Sequence, residues 1–156
     1  MKDILSNIIE PAFRVLPTMM TSDEARAMLL AIGLQESGLK HRTQHGNGPA
    51  RGLWQFERIG VAEVLRNRST MEHAAGVCWN LGNAGTTASV YNQLAYDDVL
   101  ACCFARLALW RFKGPLPKED ENAYGWRQYL TIWAPGKPRT DDWPENFRCA
   151  WEMVKG

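Results

Sequence analysis

Apolar residues recur along this chain at intervals of three and four, the spacing of one helix face. Ile4, Ile8, Ile9, Ala12 and Phe13 predict a helix over residues 3–16. Pro11 inside it is a kink or a break, and Pro17 closes it. Thr21-Ser-Asp-Glu24 has the form of a capping box. It opens a second helix, which carries Met28, Leu29, Ile32 and then Glu36, with Gly38 placed to end it. Ile59, Val61, Ala62, Val64 and Leu65 predict a helix over residues 57–66. Ser69-Thr-Met-Glu72 is a second capping box, opening a helix to about Leu81.

Gly82 to Thr87 breaks the pattern, and Thr86 or Thr87 caps a short helix through Leu94. Asp97 is an N-cap candidate for residues 98–112, whose Val99, Leu100, Cys102, Cys103, Phe104, Leu107, Ala108 and Leu109 leave little polar surface. That stretch reads as the central buried helix. Gly114-Pro-Leu-Pro117 stops it. An aromatic amphipathic helix follows over residues 122–133, and a last helix over residues 144–155. No run has the two-residue period of a strand. The pattern predicts a single mainly α domain over residues 1–156, of seven or eight helices. The polar, turn-rich residues 40–56 are expected to form a small hairpin or an irregular loop.

Composition narrows the function classes. The 46% hydrophobic and 22% charged fractions are those of an ordinary globular protein. A net charge of +1 is no nucleic-acid signature, and no nucleic-acid partner is expected. No apolar stretch approaches the length of a membrane span. The four cysteines, Cys78, Cys102, Cys103 and Cys149, lack zinc-site or Cys-x-x-Cys spacing, and read as small buried hydrophobes in a reducing compartment. A disulfide stays open as an alternative. His41 and His45 have metal-compatible spacing but sit in a loop with no third ligand, so neither a metal nor another cofactor is expected. Seven tryptophans are many for 156 residues; most should fill the core, with one to three serving function. A monomer is expected. Residues 1–10 lack the uninterrupted apolar stretch and cleavage site of a secretory signal.

The candidate chemistry centres on Glu36. It lies four residues past Ile32 and seven past Leu29, on the stripe that faces the core. A glutamate at a helix end is by default a solvated surface residue; this one has the phase of a buried one. Apolar neighbours and the negative end of the helix dipole both raise a carboxyl pKa. A glutamic acid kept protonated near neutral pH is a general acid, the donor a glycosidic oxygen needs.

Gln35-Glu36-Ser37-Gly38, followed by Gly52-Leu53-Trp54-Gln55-Phe56, resembles the first two motifs of soluble lytic transglycosylases and goose-type lysozymes. The match falls within residues 25–57. The resemblance implies a lysozyme-like helical fold, bacterial peptidoglycan strands as the partner, Glu36 as catalytic acid, Ser37 bracing it, and Gln55, Trp54 and Phe56 along the sugar groove. It also implies a tyrosine beside the acid, from a third Ala-Tyr-Asn motif. By chain order that motif falls at Ala108-Leu-Trp110, where no tyrosine stands, so Tyr91, Tyr124 and Trp110 are the candidates for this part of the groove. Cleavage of the β-1,4 bond between N-acetylmuramic acid and N-acetylglucosamine is the expected reaction, of the transglycosylase type, with Glu36 as acid and then base. The alternatives are a hydrolytic muramidase, with Glu57 as a possible second carboxylate, and a module that binds glycan or serves a virion without cutting. With no secretory signal, a phage-encoded bacteriolytic enzyme or endolysin is expected. It would be made in the host cytoplasm and reach the periplasmic wall through a particle or a pore.

Overall fold

A computed structural model describes residues 2–156, Lys2 by its backbone alone. Met1 of the predicted domain and N-terminal segment lies outside the described residues. Helix α1 runs over residues 2–15, α-helical at Lys2–Ile4, π-helical at Leu5–Ile9 and α-helical again at Glu10–Val15. Pro11 neither breaks nor ends it. Proline lacks an N–H and crowds the carbonyl four residues back. The wider π turn just before it accommodates both defects within one continuous helix.

Helix α2 is Asp23–Ser37. Its N-cap is Ser22, one position after the predicted Thr21: Ser22 Oγ accepts from the Ala25 N–H at 3.1 Å. The Thr21 hydroxyl turns back to the Thr18 carbonyl at 2.7 Å instead. Gly38 ends α2 as expected, with φ of 63°. Its N–H donates to the Leu34 carbonyl at 3.1 Å, and that of Leu39 to the Gly33 carbonyl at 3.2 Å.

The remaining helices are α3 (Arg58–Arg66), α4 (Met71–Asn80), α5 (Thr87–Gln93), α6 (Asp98–Trp110), α7 (Asn122–Trp133) and α8 (Trp143–Lys155). The second capping box is not used. Ser69 turns its hydroxyl to the Asn67 side chain, and Thr70 Oγ1 donates to the Val64 carbonyl at 2.6 Å. Thr86 caps α5 and Asp97 caps α6, each accepting a first-turn N–H.

Helix α6 is the axis of the protein. Every residue from Leu100 to Leu109 is buried, and α6 touches α1, α2, α3, α4 and α7. Helix α2 lies along α8 and is clamped between it and α6. All four cysteines are free thiols. Cys78, Cys102 and Cys103 are buried, and burial pushes the Cys103 thiol up to about 12. Cys149 departs from the expectation: it lies half-exposed on α8, with its thiol against Glu145. Six tryptophans pack into or against the core, while Trp79 stands in solvent.

Among the described residues there is no strand. Residues 42–56 form an irregular loop with two isolated bridges, Thr43 to Arg51 and Arg51 to Phe56. Arg51 and Phe56 exchange both backbone hydrogen bonds at 2.9 Å, closing a tight turn around Gly52-Leu53-Trp54-Gln55. Gly52 has φ of +78°, and a Cβ there would sit 2.9 Å from the Leu94 carbonyl oxygen. Both the conformation and the close backbone require glycine. Gly52→Ala is therefore expected to lower stability by about 1–3 kcal/mol, read from the urea unfolding midpoint. An unchanged midpoint would show that the turn relaxes without cost.

Candidate active site

Two segments meet at the C-terminal end of α2. The first is the helix end itself, Gln35-Glu36-Ser37-Gly38. The second is the turn at residues 52–55. Ser37 ties them together: its hydroxyl donates to the Leu53 carbonyl at 2.6 Å and accepts from the Leu39 N–H at 3.2 Å. Trp54 is the second tie. Its indole is 0% exposed, and Nε1 donates to the Leu29 carbonyl on α2 at 2.8 Å. From the other side, the Trp133 indole N–H donates to the Trp54 carbonyl at 2.8 Å. The turn is thus pinned between α2 and α7.

The Glu36 side chain is half-buried in a cleft of about 830 Å³. The cleft is lined by Lys40, His41, Gln44 and His45 from the loop after α2, by Arg139, Asp141, Asp142, Glu145 and Asn146 from the segment leading into α8, and by Ser37 and Gln55. Glu36 Oε1 accepts a hydrogen bond from the Tyr129 hydroxyl at 2.6 Å. Oε2 has no protein partner among the described residues. Burial raises the Glu36 pKa above its ordinary value; the Tyr129 hydrogen bond and the Arg139 charge act against burial without cancelling it. Burial and the adjacent carboxylate both raise the Tyr129 pKa, so Tyr129 stays a donor.

Tyr129 is itself fixed by stacking. Its ring lies 5.4 Å from Trp143 at an interplanar angle of 12°, and 5.3 Å from Trp126. Gln35, buried beside Glu36, fixes the loop that carries Arg139. Its Nε2 donates to the Arg139 carbonyl at 2.9 Å, and its Oε1 accepts from Asn146 Nδ2 at 2.8 Å. The Arg139 guanidinium in turn donates to the Gln35 carbonyl and pairs with Asp142.

Of the predicted site residues, Glu36, Ser37 and Gln55 come together at this cleft. Trp54 does not reach it; its N–H finds an acceptor inside the core, so the ring braces the turn. Phe56 and Glu57 line a separate pocket of about 260 Å³, to which Gln55, Trp133 and Arg111 also contribute. The Tyr91 hydroxyl donates to the Pro49 carbonyl at 2.6 Å, and its ring lies under Arg58. Tyr124 packs edge-on against Phe112. Trp110 lines a different pocket, near the opposite end of α2. Two arginines of the same loop have partners of their own: Arg42 pairs with Asp98, and Arg51 donates to the Gly48 and Ala50 carbonyls. The His41 and His45 rings lie 4.8 Å apart on the cleft wall. Among the described residues no cluster of three His, Cys, Asp or Glu is arranged to hold a metal.

Tyr129 and Arg139 were not anticipated. The signal for Tyr129 was its helix, which follows the central one, but the choice among tyrosines there depends on packing. Arg139 sits in an aperiodic loop and had no signal.

The chain is therefore a mainly α protein with a raised-pKa carboxylic acid in a polar cleft. No protein-family model, curated protein or solved structure matches it.

Two outcomes follow from the electrostatics. Because folding raises the Glu36 pKa above its ordinary 4.5, the folded state holds the proton more tightly, and stability falls as pH rises through that window. Glu36→Gln is expected to raise the thermal midpoint at neutral pH and to have no such effect below the ordinary value. An equal shift at both pH values contradicts the assignment. Tyr129→Phe removes a donor to the charged form, so the Glu36 pKa should rise further, read from the side-chain carboxyl ¹³C shift; a fall refutes the role given to that bond.

Proposed function

We propose that this protein cleaves the glycan strand of bacterial peptidoglycan between N-acetylmuramic acid and N-acetylglucosamine. The observation that carries the reading is the Glu36 carboxyl: half-buried, of raised pKa, with one oxygen held by Tyr129 and the other facing a polar cleft large enough for sugar residues. Glu36 protonates the leaving glycosidic oxygen as general acid. The Arg139 charge and the Tyr129 hydroxyl then stabilise the carboxylate that remains. That carboxylate takes a proton from the 6-hydroxyl of the muramic acid, which closes a 1,6-anhydro ring as in lytic transglycosylases. The resemblance of Gln35-Glu36-Ser37-Gly38 and Gly52-Leu53-Trp54-Gln55 to that family supports the same reading.

Hydrolysis is the second reading, favoured by one observation: Asp141 and Asp142 line the same cleft as Glu36 and could serve as the second carboxylate a hydrolase requires. Glu57 is exposed and lines the neighbouring pocket instead.

Purified sacculi test the proposal. Wild-type protein should release soluble muropeptides, and Glu36→Gln should do so about 10²–10⁴-fold more slowly. Mass spectrometry of the products separates the readings: 1,6-anhydro ends support transglycosylation, whereas reducing ends one water heavier support hydrolysis. Binding to sacculi without release would replace the enzyme with a glycan-binding module.

A further inference from the structure

A second pocket lies at the N-terminal end of α2, fourteen residues and about 20 Å along the helix axis from Glu36. Its volume is about 430 Å³, within the range of about 300–1,000 Å³ usual for small-molecule sites. Trp110, Leu109, Phe112 and Leu116 form its apolar wall. The residue that sets it apart is Arg106.

Arg106 interrupts the apolar face of α6 and is 4% exposed. Its Nε donates to the Met20 carbonyl at 2.7 Å, and its guanidinium lies 5.4 Å from the centre of the Trp110 ring. The two terminal nitrogens have no protein acceptor among the described residues, and none of the ion pairs includes Arg106. Burial pulls its pKa down to about 10, which leaves it charged at neutral pH. A buried cation without a counter-ion is costly to keep. Nothing in the Glu36 site requires it.

Further charges stand near Arg106. Lys118 lines the same pocket; the Glu121 carboxylate accepts from its backbone N–H at 2.8 Å, and among the described residues no ion pair holds its ammonium. The first turn of the fifteen-residue α2 opens there, with Ser22 Oγ occupying the Ala25 N–H. Glu24 is the one carboxylate in the wall. Arg106 thus stands beside an aromatic and aliphatic surface, with Glu24 in the wall and Glu121 next to Lys118.

We infer that this pocket binds a carboxylate attached to an apolar body, with the terminal nitrogens of Arg106 as a two-pronged donor and Trp110 as the platform for the body. Such a fork matches a carboxylate in plane, with both oxygens bonded. The site is independent of the proposed glycan chemistry. The ligand chemistry has two sources, a free small acid or the C-terminus of a peptide.

Benzoate, benzyl alcohol and a tripeptide ending in leucine, as free acid and as amide, are the probes, with binding read from ¹H–¹⁵N shifts of the Trp110 indole and the Arg106 Nε–H. Benzoate should shift both signals saturably, and benzyl alcohol should bind at least about ten-fold more weakly, the loss expected when a charge-assisted hydrogen bond is missing. Arg106→Met should lose this preference for the acid. If that variant does not fold, Lys118→Ala in the wild-type fold should weaken benzoate but not benzyl alcohol. Tighter binding of the peptide acid than of its amide or of benzoate assigns a chain terminus as the source; benzoate alone assigns a free acid. Unshifted signals at saturating benzoate, or equal affinity for the alcohol, overturn the site.

Discussion

The structure of the cleft depends on holding one carboxyl group partly out of water. Glu36 sits at the last turn of α2, where burial and the helix dipole both favour the neutral acid. Two neighbours favour the charged form. Tyr129 donates to one oxygen, and Arg139 supplies a positive charge nearby. Burial is the larger effect. The result is an acid that keeps its proton to higher pH but has partners ready once the proton leaves. Any chemistry at this cleft that begins with donation of a proton uses that balance.

The rest of the fold holds the balance in place. Burying a carboxyl requires walls that do not move. Helix α2 is clamped between α6 and α8, and the turn at residues 52–55 is tied to it by the Ser37 hydroxyl and the Trp54 indole. Helix α7 reaches the same turn through Trp133 and presents Tyr129, which is held by the rings of Trp126 and Trp143. Tryptophan therefore serves here largely as scaffold. An indole buried in a core needs an acceptor for its N–H. The acceptors available to Trp54 and Trp133 are backbone carbonyls of the segments that must be joined.

The two ends of α2 are chemically opposite. The C-terminal end carries a half-buried acid in a wide polar cleft. The N-terminal end faces a smaller, largely apolar pocket with a buried, uncompensated arginine. Both features place an ionisable group where solvent is scarce, and such positions concentrate function.

Local spacing alone determined the helices. Their phases, the stop at Gly38 and the caps at Thr86 and Asp97 are properties of neighbouring residues, and they were legible, whereas α6 ends at Trp110, two residues short of the expected 112. So was the core-facing phase of Glu36. The caps that moved, at Thr21 and Ser69, lost to competing hydrogen bonds two or three residues away. Tertiary structure decided what spacing cannot encode. Tyr124 and Tyr129 share a helix but not a face, and only the packing of α7 brings Tyr129, 93 residues distant in sequence, onto Glu36. Trp54 turned inward because its N–H meets the Leu29 carbonyl. Arg139 arrived from an aperiodic loop fixed by Gln35, and the packing of α6 left Arg106 lining a pocket at the other end of α2. Contacts between distant segments depend on which faces pack together, and a one-dimensional pattern does not contain that choice.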